Sequence, residues 1–132
     1  MKLNYIKVLV VGMSAEENYI IHSEFGSWFF EYTDYIDDAT YWLNDNKVDV
    51  ALIYIDKPDI EGFMDPEWRM TSLINQCASR TPVVILAELA SEDEQVNNLR
   101  NVVVNAGASG LLTYEFGCFT DVSALRDMIS SI

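Results

Sequence analysis

Short, nearly unbroken apolar runs recur along this chain at residues 6–11, 48–55 and 83–87. Each is long enough for a strand and too short for a buried helix. Runs this rich in Val, Ile and Leu are expected where a strand is buried on both faces of a parallel sheet. Parallel neighbours need a crossover of about a dozen residues or more, usually a helix, so the intervening segments should be helical. Ser14 with Glu17 three residues later reads as a capping box that opens a helix to about residue 25. Residues 34–46 place Ile36, Ala39 and Leu43 on one helical face, and the next helix carries Met70, Leu73, Ile74 and Cys77 at helical spacing. Ser91 and Glu94 form a second capping box, for a helix that runs to about Ala106 and stops at Gly107, where left-handed backbone is usual. The last helix should bury Val122, Leu125, Ile129 and Ile132.

The aromatic-rich stretch 28–32 and the short stretch 110–114 read as two further strands, while 56–66, with two prolines and a glycine, reads as a loop. Strand and helix thus alternate five times. The expected architecture is a doubly wound (βα)5 α/β fold, a five-stranded parallel sheet in a three-layer sandwich with right-handed crossovers. A length of 132 residues suits a single domain over 1–132. In such sheets ligands bind outside the carboxyl ends of the strands. That rule directs attention to Gly12 and Met13, to 54–58, to Ala87 and Glu88, and to Tyr114 and Glu115.

Composition removes several function classes. Eight Lys and Arg face twenty-one Asp and Glu, for a net charge of −13. Such a surface repels phosphate backbones and anionic lipid, so neither direct nucleic-acid binding nor membrane binding is expected, and a basic protein surface is the expected partner. Cys77 and Cys118 are too few and too far apart for a disulfide framework or a zinc site, and His22 has no second ligand near it in sequence. The apolar run 8–13 is too short for a signal peptide or a membrane span, which points to a reducing cytoplasm. No nucleophile–base pair, metal cluster or paired carboxylates fall at the carboxyl end of the sheet, so neither an enzyme nor a metal or cofactor is expected. A flavin phosphate would meet the carboxylates of Glu16 and Glu17 just after Gly12 and Ser14.

Four stretches, in order along the chain, resemble the receiver domain of two-component response regulators. They are KVLVV at 7–11, DVALIYIDKPDIEG at 49–62, TPVVILA at 81–87 and GASGLLT at 107–113. The resemblance implies the flavodoxin-like receiver topology. It also implies a phosphorylation site built from an acid pair after the first strand and an acceptor aspartate ending the third. A hydroxyl after the fourth strand, a lysine after the fifth and an aromatic switch residue complete it. This sequence departs at every position. Gly12 and Met13 stand for the acid pair, Tyr54 for the acceptor, Ala87 for the hydroxyl, Tyr114 for the lysine and Leu111 for the switch aromatic. Gly12 and Met13 offer no hard oxygen ligands for Mg²⁺, and a phenol cannot form an acyl phosphate. Asp56 is the one candidate for a displaced acceptor, with Glu16 and Glu17 as displaced metal ligands.

The expected function is therefore a phosphorylation-independent signalling module that acts by protein binding or dimerisation, free-standing or as the sensory half of a longer protein. The alternatives are the N-terminal atypical receiver of a pilus-localisation ATPase or of a transcription regulator, and a small-molecule binder on the flavodoxin-like topology. The resemblance implies dimerisation and docking through the fourth helix, fifth strand and fifth helix. There the consecutive Val102, Val103 and Val104 cover more than one helical face, and Leu111 follows on the strand. The aromatics Trp28, Phe29, Phe30 and Tyr32 form a second candidate face, since alternation should bury one set and leave the other outside. Tyr54 and Tyr114 should meet across the vacated phosphorylation site.

Overall fold

The computed structural model describes residues 6–12, 25, 27–115, 118–119 and 122–132. The apolar runs become the middle of one sheet. Along the chain the elements are β1 (Lys7–Val11), β2 (Phe29–Thr33), α1 (Ile36–Asp45), β3 (Val50–Ile55), α2 (Lys57–Ile60) and α3 (Arg69–Ala78). They continue as β4 (Val83–Glu88), α4 (Val96–Asn105), β5 (Gly110–Glu115), β6 (Cys118–Phe119) and α5 (Val122–Ser130). The sheet order is β2-β1-β3-β4-β5-β6, with the first five strands parallel and β6 antiparallel to β5. The chain steps outward from β1 to β2 and then back past β1 to β3, so the order reverses there. That reversal opens a crevice at the carboxyl ends of β1 and β3.

All six residues of β3 and the first five of β4 are buried, as strands covered on both faces must be. The two-residue period sorts their side chains into two core layers. Leu9, Ile53, Ile85 and Leu111 face α1, α3 and α4, meeting Ala39, Ile74 and Leu99 among others. Val10, Leu52, Leu86 and both Tyr54 and Tyr114 face the other way, meeting Leu125 and Ile129 of α5. Ile36, Ala39 and Leu43 are the buried face of α1 as their spacing requires, and Ile74 and Cys77 that of α3.

Gly107 ends α4 in a Schellman arrangement. Its N–H donates to the Val104 carbonyl at 2.9 Å, and the Ala108 N–H reaches back to the Val103 carbonyl at 3.0 Å. The turn requires φ of +115° at Gly107, and a Cβ there would lie 3.0 Å from Ala78 Cβ. Only glycine meets both demands.

The local reading needs correction in three places. Residues 91–95 form turns and not the first turn of a helix. Ser91 Oγ donates to the Glu92 carboxylate, Asp93 Oδ1 accepts from the Gln95 N–H, and α4 begins only at Val96 without a side-chain cap. The stretch 56–66 is not wholly loop, because Asp56 caps the single-turn α2 by accepting from the Asp59 N–H at 3.1 Å. Pro58 fits there because the first helical turn needs no donor from it. A sixth strand, β6, extends the sheet beyond the five expected. Expectations on Met13, Ser14, Glu16, Glu17 and His22, and on the side chains of Cys118 and Val122, lie outside the described residues. Among the described residues no helix is long and apolar enough to cross a membrane.

Cys77 is fully buried on α3, and burial pushes its thiol up to about 11 from the usual 9.0. The thiolate is the reactive form, so Cys77 should resist alkylation at neutral pH until the chain unfolds. Mass mapping of the Cys77 peptide after iodoacetamide treatment, with and without urea, checks this. The unfolded thiol ionises from about pH 9 while the folded one keeps its proton to about 11. The folded state then holds more protons, so this group's contribution to stability is lost as pH rises through that window.

Candidate functional site

The carboxyl edge of the sheet is built by the turns that leave β1, β3, β4 and β5. Gly12 follows β1 with φ of +78°, and a Cβ on it would lie 3.3 Å from the Tyr54 carbonyl oxygen. Its N–H donates to the Thr33 carbonyl, which ties β1 to the end of β2. The positive φ and the tight approach to Tyr54 together favour glycine at position 12.

Tyr54 is the fifth residue of β3 and is opposite Leu86, while Tyr114 on β5 is opposite Glu88. Both tyrosines project to the α5 side, and their rings meet across β4 with centroids 4.8 Å apart at 59°. They are 6% and 3% exposed. A tilted pair at this distance is a favourable aromatic arrangement, and the two rings form one core layer with Leu86, Leu125 and Ile129. Ala87 is fully buried on the opposite face, against the α1–α3–α4 layer. Gly12, Tyr54, Ala87 and Tyr114 themselves thus bring a glycine, two phenols and a methyl group to this edge, while Asp56, Lys57, Glu88 and Glu115 lie around them. Leu111 lies deeper in the sheet and is 1% exposed.

Asp56 stands just past this edge, exposed, with one oxygen committed to the Asp59 N–H. Asp59 has its carboxyl raised, first by desolvation and then by the Asp56 charge and side chain beside it. Glu88, half-buried at the end of β4, accepts from the Lys57 N–H at 2.9 Å. Sequence spacing gives no sign of that bond, because its partners are 31 residues apart.

A cleft of about 660 Å³ opens between the ends of β1 and β3 and the helices α1 and α3. Asp34 and Asp37 line one wall, and Asp56, Asp59, Asp65 and Glu67 the other. Arg69 pairs with Asp37 at 3.2 Å in an exposed bridge. The Trp68 indole N–H donates to the Asp59 carbonyl at 2.8 Å and pins the acidic loop in place. Among the described residues no three His, Cys, Asp or Glu side chains converge closely enough to hold a metal ion. The cleft was hidden from sequence reasoning because its carboxylates come from separate segments that only the fold brings together.

The candidate docking face on α4 and β5 is smaller than the sequence suggested. Val103 and Leu111 are buried, at 0% and 1%. Val104 alone is well exposed, at 44%, and Val102 is half-buried. Helical rotation turns Val103 to the core beside Leu99, and β5 lies under α4. On the other flank Trp28 is buried and stacks on Phe25 at 4.0 Å, whereas Phe29 is 58% and Tyr32 43% exposed.

No family model and no curated protein matches the sequence. Solved structures do match the fold. The receiver domain of the Francisella response regulator 1452 is 24% identical, with a TM-score of 0.64 over 96% of this chain and 94% of that one. A Thermotoga maritima response regulator superposes with a TM-score of 0.65 at 20% identity, over 96% and 98%. The chain has the receiver fold. An atypical orphan response regulator described as having a phosphorylation-independent regulatory mechanism shares that fold at 14% identity, with a TM-score of 0.62 over 96% and 93%. In the receiver fold of this chain, Gly12, Tyr54, Ala87 and Tyr114 gather at one edge, and Asp56, the cap of α2, lines the same cleft as Gly12 and Tyr54.

Proposed function

We propose that this chain is a signalling module that works by protein binding without phosphorylation. One observation carries the reading. The Tyr54 and Tyr114 rings pack against each other, buried, at the positions that the resemblance gives to the acceptor aspartate and its lysine partner. At those two positions a phosphoryl group would meet phenols in place of a carboxylate and an ammonium. The structural likeness to an atypical orphan response regulator with a phosphorylation-independent mechanism supports the same reading.

The partner is a protein with a basic face. The net charge of −13 and the carboxylates around the α1–α3 cleft favour approach of cations and repel polyanions. Val104 and Val102 on α4 supply an apolar contact that a partner or a second copy can cover.

Sedimentation velocity of the chain, with and without Mg²⁺ and beryllofluoride as a phosphoryl mimic, tests the proposal. The profile should be the same in both conditions. A shift on adding beryllofluoride would mean that an acid of this chain still accepts the mimic and changes the assembly.

A further inference from the structure

The single turn α2 has its donors satisfied in an unusual way. A helix start leaves its first N–H groups without intrahelical partners. Here Pro58 has none to satisfy, Asp59 donates to the Asp56 carboxylate and Ile60 to the Asp56 carbonyl. The one remaining donor, the Lys57 N–H, goes to Glu88 Oε1 at 2.9 Å, on a different strand. The β3–β4 ladder ends at the pair Ile55 and Ala87, so this bond carries the connection past the end of the ladder.

The backbone at Glu88 is specialised as well. The Leu89 N–H donates to the Ala87 carbonyl at 2.8 Å, a three-residue turn centred on Glu88. That turn ends β4 and drops Leu89, 4% exposed, into the core layer that holds Val96, Leu99 and Val103 of α4. A carboxylate acceptor makes the bond to Lys57 roughly twice as strong as one between neutral groups. Glu88 thus joins three parts: α2, the end of β4 and, through Leu89, α4.

We propose that Glu88 is a built-in carboxylate latch that holds the β3–α2 turn and the β4–α4 segment in one arrangement and thereby fixes α4. The latch does not depend on who the partner is or on how signals reach the chain. Glu88 keeps its place in the β4–β5 ladder and α2 keeps the Asp56 cap and the Trp68 bond, so release of the latch loosens the two segments relative to each other without unfolding either.

The test is amide hydrogen exchange of the whole chain, read by NMR along Val96–Asn105. Glu88→Ala removes the acceptor. Lys57→Pro removes the donor while keeping the helix start, since proline is tolerated at the first helical position and Asp56 is already extended at φ −82° and ψ 170°. Each variant should speed exchange in α4 by roughly tenfold, and the double variant should add nothing further because both remove one interaction. Glu88→Gln, which keeps an acceptor without the charge, should fall between wild type and Glu88→Ala and guards against a misfolded alanine variant. Unchanged α4 exchange in both single variants would reduce Glu88 to a local cap, and additive effects would mean that the two groups act separately; either result overturns the latch.

Discussion

Tyr54→Asp should unfold this protein at far lower urea than the wild type, with a loss of about 4 kcal/mol. Removing a buried aromatic ring typically costs about 3–5 kcal/mol, and Tyr54 is 6% exposed within a packed layer. The new carboxylate would stand on the face shared with Tyr114, Leu86 and Ile129, where the described neighbours are aromatic and aliphatic. Burying a charge without a partner is costly on its own account. The two losses point the same way, so an aspartate at position 54 should break this core. Tyr54→Phe separates the ring from its hydroxyl. It keeps the contact with Tyr114 and should cost no more than about 1.5 kcal/mol. Urea midpoints for the three proteins, at unchanged slope, give the comparison. A Tyr54→Asp protein as stable as the wild type would show that the site still accommodates an ionised carboxylate.

Ile129→Ala should cost about 2–5 kcal/mol. Ile129 is fully buried and, with Leu125, fastens α5 to the sheet over the tyrosine pair. Truncation leaves a cavity under Tyr54 and Tyr114, so the near-ultraviolet circular dichroism of the tyrosines should change with the midpoint. A loss below about 1 kcal/mol would mean that α5 contributes little to this face.

The legible parts of the fold are those with one dominant physical cause. Residues 50–55 and 83–87 announce themselves because burial on both faces excludes polar residues. Ile36, Ala39 and Leu43 do so because a helix on a sheet buries one stripe. Misreadings arise where local signals compete. Ser91 and Glu94 have capping-box spacing, yet Asp93 takes the Gln95 N–H into its own turn and delays α4. Pro58 reads as a breaker, but at a helix start it is permitted, and α2 forms around it. The two-residue β6 is too short to have a period.

At the site, the contact between Tyr54 and Tyr114 was expected from the positions that the resemblance gives to the acceptor and its lysine partner. The Glu88–Lys57 bond and the acidic cleft were not, because they join residues from distant segments that only the finished sheet brings together. The valines of α4 were half-legible. Three in a row must leave one outside, but which one depends on the helix rotation, and it is Val104.

The most direct measurement is the intact mass of the purified chain after incubation with a small-molecule phosphodonor and Mg²⁺. The proposed function predicts an unchanged mass, because the resemblance gives the acceptor and lysine positions to Tyr54 and Tyr114, whose phenols pack together. Gain of one phosphoryl group, removable by hydroxylamine and abolished by Asp56→Asn, would contradict the account and make Asp56 an acceptor.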